Sequence, residues 1–510
     1  MNVFSLRDRV IEDYENYVRS FVSIQNPAIR AVVDAEMNNG RLWPQPLLAL
    51  NPAFEPARDV EALCRDGVLH PECARIFRRN KSKGGEALRF HLHQEQAIEV
   101  ARTGAPYVLT TGTGSGKSLA YIVPIVDSIL RRGSGRGVQA IIVYPMNALA
   151  NSQMGELEKF LCAGFDGHGP ITFKRYTGQE KKEEREEIIQ NPPDIILTNF
   201  VMLELMLTRK KESQLLREGM GGLRWLVLDE LHTYRGRQGS DVAVLVRRVR
   251  EMTSGDQLQC VGTSATIAGT GTRREQKAEV ARVASQLFGV SVASDHVIGE
   301  TLRRTTPQRD FSLESERAAL RRRIESDAPT PCTFREIEAD PLASFVESTF
   351  GVTDRIEDGE TFLIRAKPKP LGGEDGAAQM LAELSGAEGS RCESKTREFL
   401  LDGMKCERNP HTGAAPFAFR LHQWVSRGDT VYATFEAPEA RHYTLEGQIY
   451  APGEERAKKL FPLAFCRECG HEFYTVWRAD EDGLETFHGR ELLDTQGQTA
   501  PVPGAQAGFL

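Results

Sequence analysis

The segment Thr111-Gly112-Thr113-Gly114-Ser115-Gly116-Lys117-Ser118 follows the short apolar run Pro106-Tyr107-Val108-Leu109-Thr110 and opens a helical pattern. Glycines at this spacing let the backbone curl until successive N–H groups face one anion, and a helix N-terminus adds its dipole to the same point. In such a strand–loop–helix unit, Lys117 supplies a point charge to β- and γ-phosphate oxygens and the Ser118 hydroxyl holds Mg²⁺. The octet therefore reads as a nucleotide-phosphate loop with ATP as its ligand, in preference to a glycine-rich turn carrying a chance lysine.

Working outward, short β-branched runs alternate with helical patterns across residues 85–295, the signature of repeated βα units. Strands are expected at 106–110, 139–144, 171–176, 194–198, 223–228 and 258–263. Their near-continuous apolar character suits a parallel sheet covered on both faces. A helix is expected over 240–251, with Val242, Leu245, Val246 and Val249 as its buried stripe. The strand ending at Leu228 delivers Asp229-Glu230-Leu231-His232 to the edge where open α/β sheets bind ligands. There an Asp can hold the metal hydration shell, and the adjacent Glu can orient and deprotonate a water.

The order of these motifs resembles that of the DEAD/DEAH-box-like superfamily 2 helicases, and specifically their first RecA-like motor domain. Gln94, in Leu92-His93-Gln94-Glu95-Gln96, is similar to their adenine-reading glutamine, and Thr111–Ser118 to their motif I. Tyr144-Pro145-Met146-Asn147-Ala148-Leu149-Ala150 resembles motif Ia, with Asn147 where an Arg is frequent, and Tyr176-Thr177-Gly178 resembles Ib. Asp229–His232 is similar to motif II in a DELH form, and Ser264-Ala265-Thr266 to motif III. Thr233-Tyr234-Arg235-Gly236 and Gly239–Ala243 resemble the large bacterial helicases related to the mitomycin-repair and phage-defence types.

The resemblance implies roles. Gln94, Thr111, Gly112, Thr113, Gly114, Ser115, Gly116, Lys117 and Ser118 would contact ATP, and Ser118 with Asp229 would hold Mg²⁺. Glu230 would be the base, Ser264 and Thr266 would couple hydrolysis to movement, and His232 would belong to the catalytic set. Pro145, Thr177, Gly178, Thr198 and Asn199 would line the track of one nucleic-acid strand, DNA ahead of RNA. Taken alone, Thr198-Asn199 also reads as a helix N-cap, and the two roles coexist.

Composition sets the remaining limits. The chain of 510 residues has a net charge of −7, so nucleic-acid contact must come from amides, hydroxyls or a local patch. Nine mostly scattered cysteines fit a reducing compartment. The N-terminus is charged where a signal peptide is apolar, and no run reaches the ~18 apolar residues of a membrane span. A cytoplasmic protein is expected, with no membrane partner. Cys466-Arg467-Glu468-Cys469-Gly470-His471 has the shape of half a zinc knuckle, with no second half evident; zinc and two incidental thiols both remain open.

Around the motor the expected organisation is a helical N-terminal extension (1–84), a partly flexible accessory insertion (296–460) and a CxxC-containing segment with a disordered tail (461–510). Leu371–Ser390, rich in Gly, Ala and Glu, reads as a flexible linker, and the charged run Gln179–Glu187 as a solvated helix face. The fold class is thus α/β: a RecA-like P-loop domain with a parallel sheet, flanked by a helical extension and a mixed C-terminal region. No Gln-x-x-Gly-Arg signature of a second motor domain occurs in 300–510, so that domain is expected in cis or trans from a longer or split enzyme.

Overall fold

The computed structural model describes every residue except 1, 21–22, 82–84, 113, 166–168, 211, 214–221, 254–256, 266–270, 410–412, 414, 427–429, 454–455 and 495–499. Its centre is a seven-stranded sheet. The strands are β1 (Tyr107–Thr110), β2 (Ala140–Tyr144), β3 (Phe173–Tyr176), β4 (Ile195–Asn199), β5 (Trp225–Leu228), β6 (Gln259–Ser264) and β7 (Val297–Gly299). They lie in the order β7-β1-β6-β5-β2-β4-β3, and every pairing is parallel. The six expected strands are present within one or two residues. The seventh, three residues long, lies beyond the expected limit at 295 and is too short to leave a periodic signal.

Alternate strand residues enter two cores. Ile142 and Tyr144 of β2 face one apolar cluster, and Ile141 and Val143 face the other. Helices α1 (Leu92–Arg102), α2 (Leu119–Arg132) and α3 (Asn147–Leu161) cover the first face. On the second face lie α5 (Phe200–Thr208), α6 (Gly236–Met252) and α7 (Arg273–Phe288), while α4 (Lys182–Gln190) follows β3. Val242, Leu245, Val246 and Val249 are buried as the stripe of α6. Each fully buried aliphatic side chain contributes about 1.5–3 kcal/mol, so this double-faced burial dominates the domain's stability. Because all strands run the same way, the C-terminal ends of β1 to β6 share one edge, and the motif residues other than Gln94 lie at or just after those ends.

Three expectations about the flanks are corrected. The N-terminal extension is not wholly helical: Leu47–Leu50 is the middle strand of a sheet between Lys369–Pro370 and Phe419–His422, tying the extension to the accessory region. The Leu371–Ser390 stretch is not a flexible linker. It contains the helix Ala377–Ser385, followed by Gly389–Gly403, and the two bury Ala377, Leu381, Cys392, Phe399 and Leu400 in a common core. Small residues there permit close helix packing; they do not signal a linker. The disordered tail is corrected too, since Gln506–Phe509 pairs with Glu472–Glu481 as a strand of a six-stranded antiparallel sheet. Among the described residues no helix is long and apolar enough to cross a membrane.

Candidate nucleotide site and nucleic-acid track

The loop after β1 is closed at its base by Thr111 Oγ1 and Ser115 Oγ, 2.7 Å apart and buried. Gly114 and Gly116 take φ of +84° and +72°, the left-handed region that favours glycine, and so shape a concave backbone. The first turn of α1 braces this loop from below. His93 Nε2 lies 2.9 Å from the Ser115 carbonyl, and Gln94 Nε2 donates to the Gly116 carbonyl at 2.9 Å. Gln94 Oε1 accepts from the His91 N–H at 2.8 Å, so the expected adenine reader is engaged with the loop and its own helix start. A Cβ on Gly116 would stand 2.6 Å from Gln94 Nε2, which makes the glycine a condition of this brace.

Burial, then His93 and then Arg79, push the His91 imidazole down to about 4, and burial also lowers His93 against the pull of the Ser115 carbonyl. An unfolded histidine titrates near ~6.5, so between the two values the unfolded chain binds the extra proton. The stabilisation is therefore complete above pH ~6.5 and is lost as pH falls toward His91's folded value. Thermal melts from pH 4 to 8 should show a fall in Tm below ~6.5 that is shallower in His91→Gln. An identical slope in the variant would contradict this assignment.

Opposite the loop, β5 delivers the acidic pair. Thr263 Oγ1 donates to Asp229 Oδ1 and accepts from the Glu230 N–H at 3.1 Å, fixing both residues from β6. Burial pushes the Asp229 carboxyl up, while the Thr263 bond opposes that shift. Glu230 adopts φ +54°, ψ +57°, a left-handed conformation that costs a non-glycine residue about 1–3 kcal/mol. This turn aims its Oε1 at Lys117 Nζ, 3.3 Å away. Its Oε2 is buried without a hydrogen bond and lies 3.3 Å from His232 Nδ1. His232 Nδ1 in turn stands 3.4 Å from Ser264 Oγ. The structure thus brings Lys117, Asp229, Glu230, His232 and Ser264 together, with Ser118 at the start of α2 and its side chain not capping that helix. Thr113 and Thr266 lie outside the described residues.

Pro145, Thr177, Gly178, Thr198 and Asn199 gather at the ends of β2, β3 and β4. Asn199 joins them: its Nδ2 donates to Asn147 Oδ1 at 2.7 Å and to the Thr177 carbonyl at 3.2 Å, while its Oδ1 caps α5 through the Met202 N–H. Thr198 Oγ1 is buried and donates to the Tyr176 carbonyl at 2.6 Å. One acid on this edge was not foreseen. Glu180, first acid of the charged run, accepts from the Thr177 and Gly178 N–H groups at 2.8 Å each and pairs with Arg175. Burial works against this carboxylate, yet those bonds hold it below its ordinary range.

Sequence reasoning also passed over Glu300 and Arg365, which meet at the phosphate loop. Glu300 Oε2 accepts from the Gly112 N–H at 2.9 Å, and the Arg365 guanidinium grips both Glu300 oxygens at 2.6 and 2.8 Å. No local motif marks either residue. Only the parallel pairing of β7 beside β1 places Glu300 there.

The zinc expectation is not supported by the ligand set. Cys466 and Cys469 lie in a tight turn, closed by Cys466 N–H to the His471 carbonyl and Gly470 N–H to the Cys466 carbonyl at 2.9 Å each. Among the described residues no group of three or more metal-ligating side chains forms, whereas a structural zinc site takes four. Cys392 is buried between helices, and Cys406 donates to the Pro331 carbonyl, so neither completes the set.

Residues 91–274 match the family described as DEAD/DEAH box helicase. Among curated proteins, the Druantia protein DruE of Escherichia coli (strain UMEA 4076-1) is 24% identical over 61% of this chain and 22% of its own length. The uncharacterized ATP-dependent helicase YprA of Bacillus subtilis (strain 168) is 33% identical over 36% of this chain and 24% of its own. A solved structure of the DUF1998 helicase MrfA bound to DNA and AMPPNP aligns at 24% identity with a TM-score of 0.37, covering 52% of this chain and 33% of that one. The chain spans about a quarter or less of the length of these two curated relatives.

Proposed function

We propose that residues 91–274, which match the DEAD/DEAH box helicase model, make the chain the ATP-binding half of a cytoplasmic motor that hydrolyses ATP to move on nucleic acid, with DNA as the track. The observation that carries this reading is the Lys117–Glu230 pair, which joins the phosphate loop to the acidic strand end, with the track residues on the same sheet edge. Bound Mg·ATP supplies the transferable phosphoryl group and the charge that Asp229 and Ser118 would hold. Lys117 then exchanges its carboxylate partner for phosphate oxygens, which frees Glu230 to orient a water and take its proton. His232 and Ser264 connect that carboxylate to the end of β6, so a change at the base is felt by the neighbouring strand.

A second reading, a nucleotide-gated binding module without turnover of its own, is favoured by one observation. Beyond residue 300, every strand pairing among the described residues is antiparallel, unlike a second RecA-like sheet. Both readings require nucleotide at the loop. Lys117→Ala should weaken Mg·ATP binding about 100-fold or more, because it removes the loop's half-buried cation and leaves Asp229 and Glu230 to repel the phosphates. Calorimetric titration measures this, and an unchanged affinity would reject the site for both.

A further inference from the structure

We propose that Arg365 binds the terminal phosphate of ATP, delivered from the accessory region to the mouth of the phosphate loop, with Glu300 as its counter-ion before nucleotide enters. The proposal rests on the nucleotide-site reading above and extends it to a residue outside the parallel sheet.

Topology sets the geometry. Gly299 ends β7 opposite Thr110 of β1, so Glu300 emerges beside the first residues of the loop. Arg365 ends the strand Glu360–Arg365, which pairs with Val352–Glu357 in an antiparallel hairpin. The hairpin carries the guanidinium onto Gly112: a Cβ there would stand 2.6 Å from Arg365 Nε, so the two fit only because Gly112 has no side chain. The Phe54 ring backs the guanidinium at 5.7 Å. A second arginine, Arg420, brings Nη2 within 3.0 Å of where a Cβ on Gly114 would be. Two accessory-region cations therefore lie against two glycines of one phosphate loop.

The donors around Glu300 converge as they would on a phosphate. A backbone N–H from the loop and a bidentate guanidinium both point at one carboxylate, and the planar guanidinium fork matches carboxylate and phosphate alike. Lys117, the loop's own cation, already faces Glu230. An entering triphosphate brings several negative charges and competes with Glu300 for the same fork. At 29% and 18% side-chain exposure, Arg365 and Glu300 sit in a partly open position where such an exchange needs no core rearrangement. If the pair served only to dock the hairpin, its loss would act on stability and affect all nucleotides alike. A phosphate-binding role discriminates among them.

The test is equilibrium binding of the full 510-residue chain to Mg·ADP and to a non-hydrolysable Mg·ATP analogue, with thermal melts in parallel. Arg365→Ala should weaken the triphosphate about 10-fold while leaving ADP within about 2-fold, and Arg365→Lys, which keeps charge but loses the fork, should fall between. Glu300→Gln, which removes the competing carboxylate, should tighten the triphosphate by about 3-fold. Unchanged or tighter triphosphate binding in Arg365→Ala would overturn the proposal, as would an equal loss for both nucleotides together with a lowered Tm. Failure of the underlying site is distinguishable: the wild-type chain would bind neither nucleotide, or Lys117→Ala would bind both as wild type does.

Discussion

Glu230→Gln should lower ATP hydrolysis by about 10²–10⁴-fold while leaving nucleotide affinity within a few-fold of wild type. The substitution keeps shape and removes the group able to accept a proton. Three features suit that group to the proposed base role: the left-handed backbone at 230, the 3.3 Å approach of Oε1 to Lys117, and the 3.3 Å approach of Oε2 to His232 Nδ1. A strained residue holding its carboxylate between Lys117 and His232 is a costly arrangement, and general-base chemistry would use it. Thr263 holds the Asp229 side chain and touches Glu230 only at its backbone N–H, so a side-chain change at 230 leaves the Asp229 carboxylate in place. Removing a negative charge beside Lys117 also leaves that cation freer for phosphate, so weaker binding has no source in this geometry. Single-turnover hydrolysis and equilibrium titration, both with the second RecA-like domain present, separate the two effects. A parallel loss of affinity and rate would contradict the division of roles between Asp229 and Glu230.

How much of this was legible in the sequence follows from the range of the interactions. The six strands read directly because burial on both faces writes a continuous apolar run, as in Trp225–Leu228, while β7 is too brief to do so. Lys117, Asp229 and Glu230 were legible as neighbours because their spacing sets them next to strand ends. Asn199 is the helix cap the sequence suggests, and it also bridges Asn147 and Thr177. Glu180 was hidden in a charged run whose composition looks solvated, although its carboxylate holds two loop amides. The helix around Leu381 departs from the linker reading because small residues suggest linkers when their packing partners are unseen. Glu300 and Arg365 left no trace, since their meeting depends on a strand crossover and a hairpin and on no local pattern.

Supplying the second RecA-like domain should have the larger effect still. The sequence resemblance implies a nucleotide cleft between two such domains, and the described residues contain one parallel sheet. The other strands of the chain form antiparallel sheets and hairpins that include the CxxC turn, the N-terminal extension and the hairpin bearing Arg365. On the proposed reading, bound phosphates would meet Lys117 and Arg365 on one side and would await the arginine that the resemblance implies on a second motor domain. Such an arginine is worth about 10³–10⁵ in rate in related phosphoryl-transfer enzymes. Arg365 would not substitute for it, because it lies on the loop side of the site beside Gly112. On the proposed reading, nucleic-acid stimulation would require the same closure, with Pro145, Thr177 and Asn199 contributing one wall of the track.

The account is tested most directly by steady-state ATP hydrolysis of residues 1–510, alone and with the second RecA-like domain joined in cis or added in trans, with and without single-stranded DNA or RNA. The account predicts a low, unstimulated rate for the chain alone and a rise of about 10³-fold or more, stimulated by nucleic acid, once the domain is supplied. Robust, nucleic-acid-stimulated turnover by residues 1–510 alone would contradict it.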